Sequence, residues 1–148
     1  MTPSDRPTIL LVEDELLVRL WTADELRDAG FHVIEAANAD EALSLLRDDG
    51  PVDLLMTDIH MPGSMDGLRL ARLVHAIWPG LKIVVVSAHM QAVDGDTIDA
   101  FFAKPYDPAR VATRIRELLA DARQRRAEVG RAGAGQLRAA SALSSRNA

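Results

Sequence analysis

Apolar runs of strand length alternate along this chain with segments whose apolar residues return at helical spacing. Thr8–Val12 is one continuous apolar run and reads as a strand buried on both faces. Leu16, Leu17, Leu20, Ala23 and Leu26 then recur with a helical period, Asp14 being the expected N-cap and Gly30 the expected stop. Residues 31–35 read as a second strand. Asn38 or Asp40 opens a helix through Ala42, Leu43, Leu45 and Leu46 that ends near Gly50-Pro51. Residues 52–57 form a third strand, and 61–67 a loop. The next helix carries Leu70, Ala71, Val74 and Ile77 on one face and stops at Pro79-Gly80. Residues 82–86 are a fourth strand and Ala100–Ala103 a short fifth. Between them, residues 88–99 fit no period, because Asp94-Gly95-Asp96 interrupts any helix. Pro108 suits the first turn of a last helix, with Val111, Ile115, Leu118 and Leu119 on its inner face.

Strands alternating with helices predict an α/β fold, a doubly wound parallel sheet with helices on both faces. Ligands of such sheets bind beyond the carboxyl ends of the strands. Four of the strand ends here carry polar groups. Glu13 and Asp14 follow the first strand, Asp58 ends the third, Ser87 ends the fourth and Lys104 follows the fifth.

Composition adds limits. A chain of 148 residues fits one domain with a real core. With no cysteine, thiol catalysis, disulfides and thiolate metal sites are excluded. No apolar stretch reaches membrane-spanning length and the first residues carry no signal-like apolar region, so a cytoplasmic protein with no membrane association is expected. The net charge of −5 hides an asymmetry. Residues 1–121 carry 11 basic and 21 acidic side chains, whereas 122–148 carry six arginines and one glutamate. An acidic body speaks against direct DNA binding as the main role. In the basic tail, the glycines at 130, 133 and 135 are expected to break regular structure, leaving a short helix extension and then disorder. A helix ordered by a partner is the alternative.

Glu13, Asp14 and Asp58 would bring three carboxylates together. Like charges at that range repel unless a cation intervenes. Hard divalent cations take oxygen ligands, and Mg²⁺ commonly uses one or two carboxylates with waters and a phosphate. The cluster therefore reads as a Mg²⁺ site with room for phosphoryl oxygens. Lys104 could neutralise a phosphate or pair with a carboxylate, and the Ser87 hydroxyl could donate to a phosphoryl oxygen. Taken singly, Asp58 could equally be a helix cap, Ser87 a turn residue and Lys104 a surface charge.

The motifs Leu11-Val12-Glu13-Asp14-Glu15, Thr57-Asp58-Ile59-His60-Met61-Pro62 with Asp66-Gly67, Val86-Ser87-Ala88 and Lys104-Pro105 run in one order through the chain. In this it resembles the response-regulator receiver domains of two-component signalling. The resemblance covers residues 8–121, with 1–7 as a lead and 122–148 as the tail. It implies a flavodoxin-like sheet of order 2-1-3-4-5. It makes Asp58 the phosphoacceptor, and Glu13, Asp14, Asp58 and the His60 backbone carbonyl the metal ligands. Ser87 and Lys104 become the phosphoryl contacts of the switch, Phe101 the switch aromatic or else a core residue, and the peptide before Pro105 cis. The partners implied are a sensor histidine kinase or phosphotransfer protein and a downstream protein target. The only catalysis implied is the domain's own phosphorylation and dephosphorylation.

Two departures stand out. Only 16 residues separate Ser87 from Lys104, so the fourth helix of the family should be short or distorted, and the chain could be a constitutive scaffold or phosphate sink. His60 and His89 each lie two residues beyond a site residue, where side chains tune phosphoryl hydrolysis in the family. A zinc site on these two histidines is a remote alternative, as is a phosphatase. A stand-alone receiver is expected, with the last helix and tail able to support a homodimer.

Overall fold

The computed structural model describes residues 6–48, 50–89 and 93–145. Five strands, β1 (Thr8–Val12), β2 (His32–Ala36), β3 (Leu54–Asp58), β4 (Lys82–Ser87) and β5 (Ala100–Ala103), form one sheet of order β2-β1-β3-β4-β5. Every pairing is parallel. Four helices flank it: α1 (Leu16–Asp28), α2 (Ala39–Asp48), α3 (Gly67–Ile77) and α4 (Pro108–Ser145). The doubly wound architecture and its strand order are those expected.

Strand alternation builds two cores. Leu10, Val12, Leu55, Ile83 and Val85 face α2 and α3, where Leu43, Leu70 and Val74 meet them. Ile9, Leu11, Leu54, Met56, Val84 and Val86 face α1 and α4, where Leu26, Val111, Ile115 and Leu118 close over them. Strands covered on both faces need apolar side chains at successive positions, hence the unbroken apolar runs. The register pairs Thr57 with Val12 and Val85, which brings the ends of β1, β3 and β4 to one level.

One local detail differs from expectation, and two others were left open by the sequence. Glu15, not Asp14, stands at the N-cap of α1, with no side-chain cap bond. The buried face of α1 is Thr22, Ala23 and Leu26, while Leu16, Leu17 and Leu20 are exposed. A period in leucines gives a stripe but not the side of the helix that the sheet covers. The described residues between β4 and β5 form bends and a turn without a helix; residues 90–92 lie outside the described ones. Asp94 closes that turn, accepting from Asp96 N at 3.0 Å and Thr97 Oγ1 at 3.0 Å.

The tail is the largest correction. Regular structure continues past Gly130 and α4 runs without a break to Ser145. None of Gly130, Gly133 and Gly135 takes a positive φ, unlike Gly30, Gly50 and Gly63. Two facts account for this. No proline follows Pro108, and each glycine costs only about 1 kcal/mol relative to alanine. The helix is also already nucleated where Val111, Ala112, Ile115, Leu118 and Leu119 pack on the sheet, so the tail adds turns without paying for a new start.

Candidate functional site

The carboxyl ends of β1, β3, β4 and β5 converge, and each delivers a side chain. Glu13 follows β1 and is buried; its backbone N–H donates to Ala36 O at 3.1 Å, an extension of the β1–β2 ladder. Arg19 of α1 donates to the Glu13 carbonyl at 2.8 Å and lies 3.5 Å from Glu35. Asp58 closes β3 and is 8% exposed. One of its oxygens, Oδ1, accepts from His60 N at 3.2 Å. The other, Oδ2, accepts from Lys104 Nζ at 2.6 Å, and the same ammonium donates to Glu13 Oε2 at 3.1 Å. One carboxylate oxygen from each of Glu13, Asp14 and Asp58 lies within 4.8 Å of the other two.

Lys104 is fixed by backbone as much as by charge. Its N–H donates to Ser87 O at 2.8 Å, and the Lys104–Pro105 peptide is cis, as expected. Ser87 is fully buried, and its Oγ accepts from His89 N at 3.1 Å. The rings of His60 and His89 meet edge to face, with centroids 5.2 Å apart and planes at 83°. Phe101, the expected switch aromatic, is half-buried on β5 opposite Val85 and packs against the α2/α3 core.

One lysine serves two buried carboxylates, and the electrostatics show it. Burial pushes the Glu13 carboxyl from 4.5 up to about 7. Hydrogen bonding and charge from Lys104 pull it back, and Asp58 adds to the rise. For Lys104, burial favours the neutral amine, but the hydrogen bonds and charges of Asp58 and Glu13 outweigh it and hold the ammonium above its ordinary value. Such a site is short of positive charge. Its donors are hard oxygens in close array, the set that suits Mg²⁺.

Three groups that shape the site escape a reading by motif chemistry. Gly67 starts α3 directly against the Asp58 carbonyl, where a Cβ would fall 1.8 Å from the oxygen. The Asp66-Gly67 pair after the loop was its only signal. Thr57 Oγ1 donates to that same carbonyl at 2.8 Å. Tyr106 Oη lies 3.2 Å from Thr22 Oγ1 and ties the β5–α4 turn to α1; burial raises its phenol above the usual range. The residues expected at the site are otherwise brought together, and Phe101 stands apart from the carboxylate cluster in the core.

The family model for the response regulator receiver domain matches residues 9–116. Sensor kinase CckA of Brucella abortus (strain 2308) is 34% identical over 122 residues, which cover 78% of this chain and 13% of that kinase. The chain therefore spans a small part of that relative's length. The response regulator receiver protein CpdR of the same organism is 34% identical over 116 residues, 75% of this chain and 95% of CpdR. Among solved structures, the response regulator TrrA of Thermotoga maritima, determined in complex with Mg²⁺-BeF, superposes with a TM-score of 0.69 at 27% identity, covering 76% of this chain and 98% of TrrA. A receiver-type sheet, the shared acidic strand ends and a family match over most of the folded body agree: the chain belongs to the response regulator receiver domains of two-component systems.

Proposed function

We propose that Asp58 accepts a phosphoryl group from a phosphohistidine on a sensor kinase or phosphotransfer protein, and that the chain then signals through protein contacts. The observation that carries this reading is the Glu13–Asp14–Asp58 cluster with Lys104 Nζ 2.6 Å from Asp58. An Asp58 carboxylate oxygen attacks phosphorus in line, forming a carboxyl–phosphate bond as the bond to the histidine nitrogen breaks. The imidazole keeps the electron pair. Lys104 faces the charge that builds on the transferring oxygens and needs little reorganisation to do so. Glu13, Asp14, Asp58 and the His60 carbonyl would hold Mg²⁺, which supplies charge neutralisation when bound.

Phosphorylation adds about one to two negative charges at the strand ends. Ser87 and Lys104 can contact that phosphoryl group, and such differential contacts shift a conformational equilibrium. His60 and His89, exposed and edge to face, each lie two residues beyond a site residue, where paired rings can restrict or orient water near the phosphorus. The exposed Leu16, Leu17, Leu20 and Trp21 on α1 lie just beyond Asp14 and offer an apolar surface to the donor protein.

The test is labelling. Wild-type chain with Mg²⁺ and radiolabelled acetyl phosphate gives one alkali-labile phosphoryl group, and Asp58→Asn gives none. Label retained by Asp58→Asn would remove the assignment. A second reading, a constitutive receiver-like scaffold or phosphate sink, draws on the lack of a helix among the described residues between β4 and β5. Beryllofluoride with Mg²⁺ separates the two by amide NMR. Shifts confined to the site mark the scaffold, and shifts reaching Phe101 and α4 mark the switch.

A further inference from the structure

The pole of the domain opposite Asp58 carries a basic belt that the receiver chemistry does not use. Pro7, Phe31, Asp53 and Leu81 precede four of the strands, and three cavities run past them around α4 as it leaves the body. One, of about 340 Å³, lies between Pro7, Gly30, Phe31, Arg116, Leu119 and Arg123. A narrow one among Pro7, Asp53, Gly80, Arg123 and Arg126 continues it. The third, of about 360 Å³, is lined by Leu46, Pro51, Ile77, Trp78, Leu81 and Arg126. Shared walls join them: Pro7, Leu119 and Arg123 border the first two, and Gly80 and Arg126 the last two.

The two end cavities are lined mainly by apolar residues, with Arg116 in the wall of the first, and the narrow middle one is flanked by Arg123 and Arg126. Arg116, Arg123 and Arg126 fall on one side of α4, the first two about two turns apart and the last about one turn further on. Arg116 is held in place, donating to Ala29 O at 2.8 Å with its guanidinium 5.6 Å from the Phe31 ring centroid. Among the described residues, the ion pairs formed by arginine involve Arg19, Arg27 and Arg114, and none involves Arg123 or Arg126. The one carboxylate in the belt, Asp53, is engaged by Thr8 N at 2.8 Å. Arginines left unpaired beside apolar cavities in an otherwise acidic body are a recognition arrangement: the guanidinium forks select carboxylates, and the cavities select bulky side chains.

We propose that this belt binds an extended acidic segment of a partner protein, its carboxylates on Arg123 and Arg126 and a bulky apolar side chain in the cavity at each end. The continuous course of the belt fits an extended chain better than a compact small molecule. Three arginines are too few to track a nucleic-acid backbone, which needs rows of cations. A membrane surface would call for apolar side chains that project outward, whereas here Phe31, Leu46, Leu81 and Leu119 are buried in the recess walls and Ile77 is the exposed large apolar residue.

The full-length chain carrying Trp21→Phe keeps Trp78 as its sole tryptophan, inside the third cavity. It is titrated with synthetic peptides in which a run of aspartates, lengthened one residue at a time, is bounded by leucine and phenylalanine. The expected result is a saturable change in Trp78 emission for at least one run length. Affinity should fall about tenfold or more when the aspartates become asparagine, or when Arg123→Glu and Arg126→Glu are combined. Both arginines are exposed, so far-UV circular dichroism and the melting midpoint of that variant should match wild type. No saturable change with any peptide overturns the proposal, as does equal binding by the reversed-charge variant. Arginine-dependent self-association in sedimentation, or arginine-dependent binding to phosphatidylglycerol vesicles, without peptide binding would assign the belt to a second copy or a membrane and overturn it as well.

Discussion

Gly67 abuts the backbone of Asp58 so closely that a Cβ on it would lie 1.8 Å from the Asp58 carbonyl oxygen and 2.7 Å from its carbon. Its own N–H donates to Ile59 O at 2.8 Å. The first turn of α3 is thus laid directly on the β3 end that presents Asp58. The atoms that Cβ would meet are all backbone, so no side chain can swing away to relieve the clash. Gly67→Ala should cost at least about 2 kcal/mol, at or above the middle of the range for overpacking. The same substitution should cut acetyl-phosphate labelling by displacing the β3 end. Urea unfolding checks the first expectation; a midpoint equal to wild type would show that α3 can slide without penalty.

Lys104 is the only cation among the described residues that pairs with the carboxylate of Glu13 or Asp58. Lys104→Met leaves two buried carboxylates facing each other. In EDTA at pH 8 this should destabilise the chain by about 2 kcal/mol, less than the loss for a fully buried pair because the lysine side chain remains 21% exposed. Denaturant titration reads the loss directly. Equal stability of variant and wild type would mean that the carboxylates relax apart at no cost. Phosphotransfer to Lys104→Met should fall in parallel.

The cluster within 4.8 Å should also be visible as metal binding. Saturating MgCl₂ raises stability by RT ln(1 + [L]/Kd), about 2.7 kcal/mol at a hundredfold excess over Kd. Asp14→Ala, at an exposed position outside the core, should abolish most of this gain, while the metal-free midpoint holds or rises because one of three clustered carboxylates is gone. Differential scanning calorimetry with and without MgCl₂ decides it. A full Mg²⁺ response in Asp14→Ala would take that residue out of the ligand set.

Much of this was legible in the sequence because strands buried on both faces must be apolar throughout, and the residue that ends each run then stands out. Glu13, Asp14, Asp58, Ser87 and Lys104 were visible for that reason. The course of residues 88–99 was not, since no apolar period directs it. Gly67 was hard to see because its value lies in the absence of a side chain. The orientation of α1 could not be read, because Leu16, Leu17 and Leu20 share the helical period of Ala23 and Leu26 but face outward. In the tail, three glycines outweighed the missing proline, although helix propagation tolerates the former and depends on the latter.

The continuous α4 gives a direct test of that last point. A Cβ on Gly130, Gly133 or Gly135 would meet nothing within 4 Å, and all three have helical backbone. Replacing all three by alanine should therefore favour the helix by about 2–3 kcal/mol in total. The mean residue ellipticity at 222 nm should become more negative, and the tail should melt at higher temperature. The unfolding midpoint of the body should not change, because the buried apolar residues of α4 end at Leu119 and its contacts with the body at Arg126, before the first of these glycines. An unchanged far-UV signal would mean that the glycines already cost the helix nothing, or that the tail is not helical in solution.

The exposed leucines of α1 separate chemistry from partner recognition. Leu17 is 76% exposed and three residues beyond Asp14, while the buried side of the helix is carried by Thr22, Ala23 and Leu26. Leu17→Glu should leave folding intact, since surface substitutions away from the core typically move stability by about 0.5 kcal/mol or less. Small phosphodonors reach Asp58 without touching α1, so labelling by acetyl phosphate should be unchanged. Under the proposed docking, a protein donor desolvates the Leu16–Trp21 surface as it brings its phosphohistidine into line. Placing a carboxylate there should slow transfer from the cognate kinase by about tenfold or more, through weaker docking. Rapid-quench measurement of both donors on the same protein gives the contrast. Parallel losses with the two donors would place the defect in the site itself, and equal rates would move the docking surface off α1.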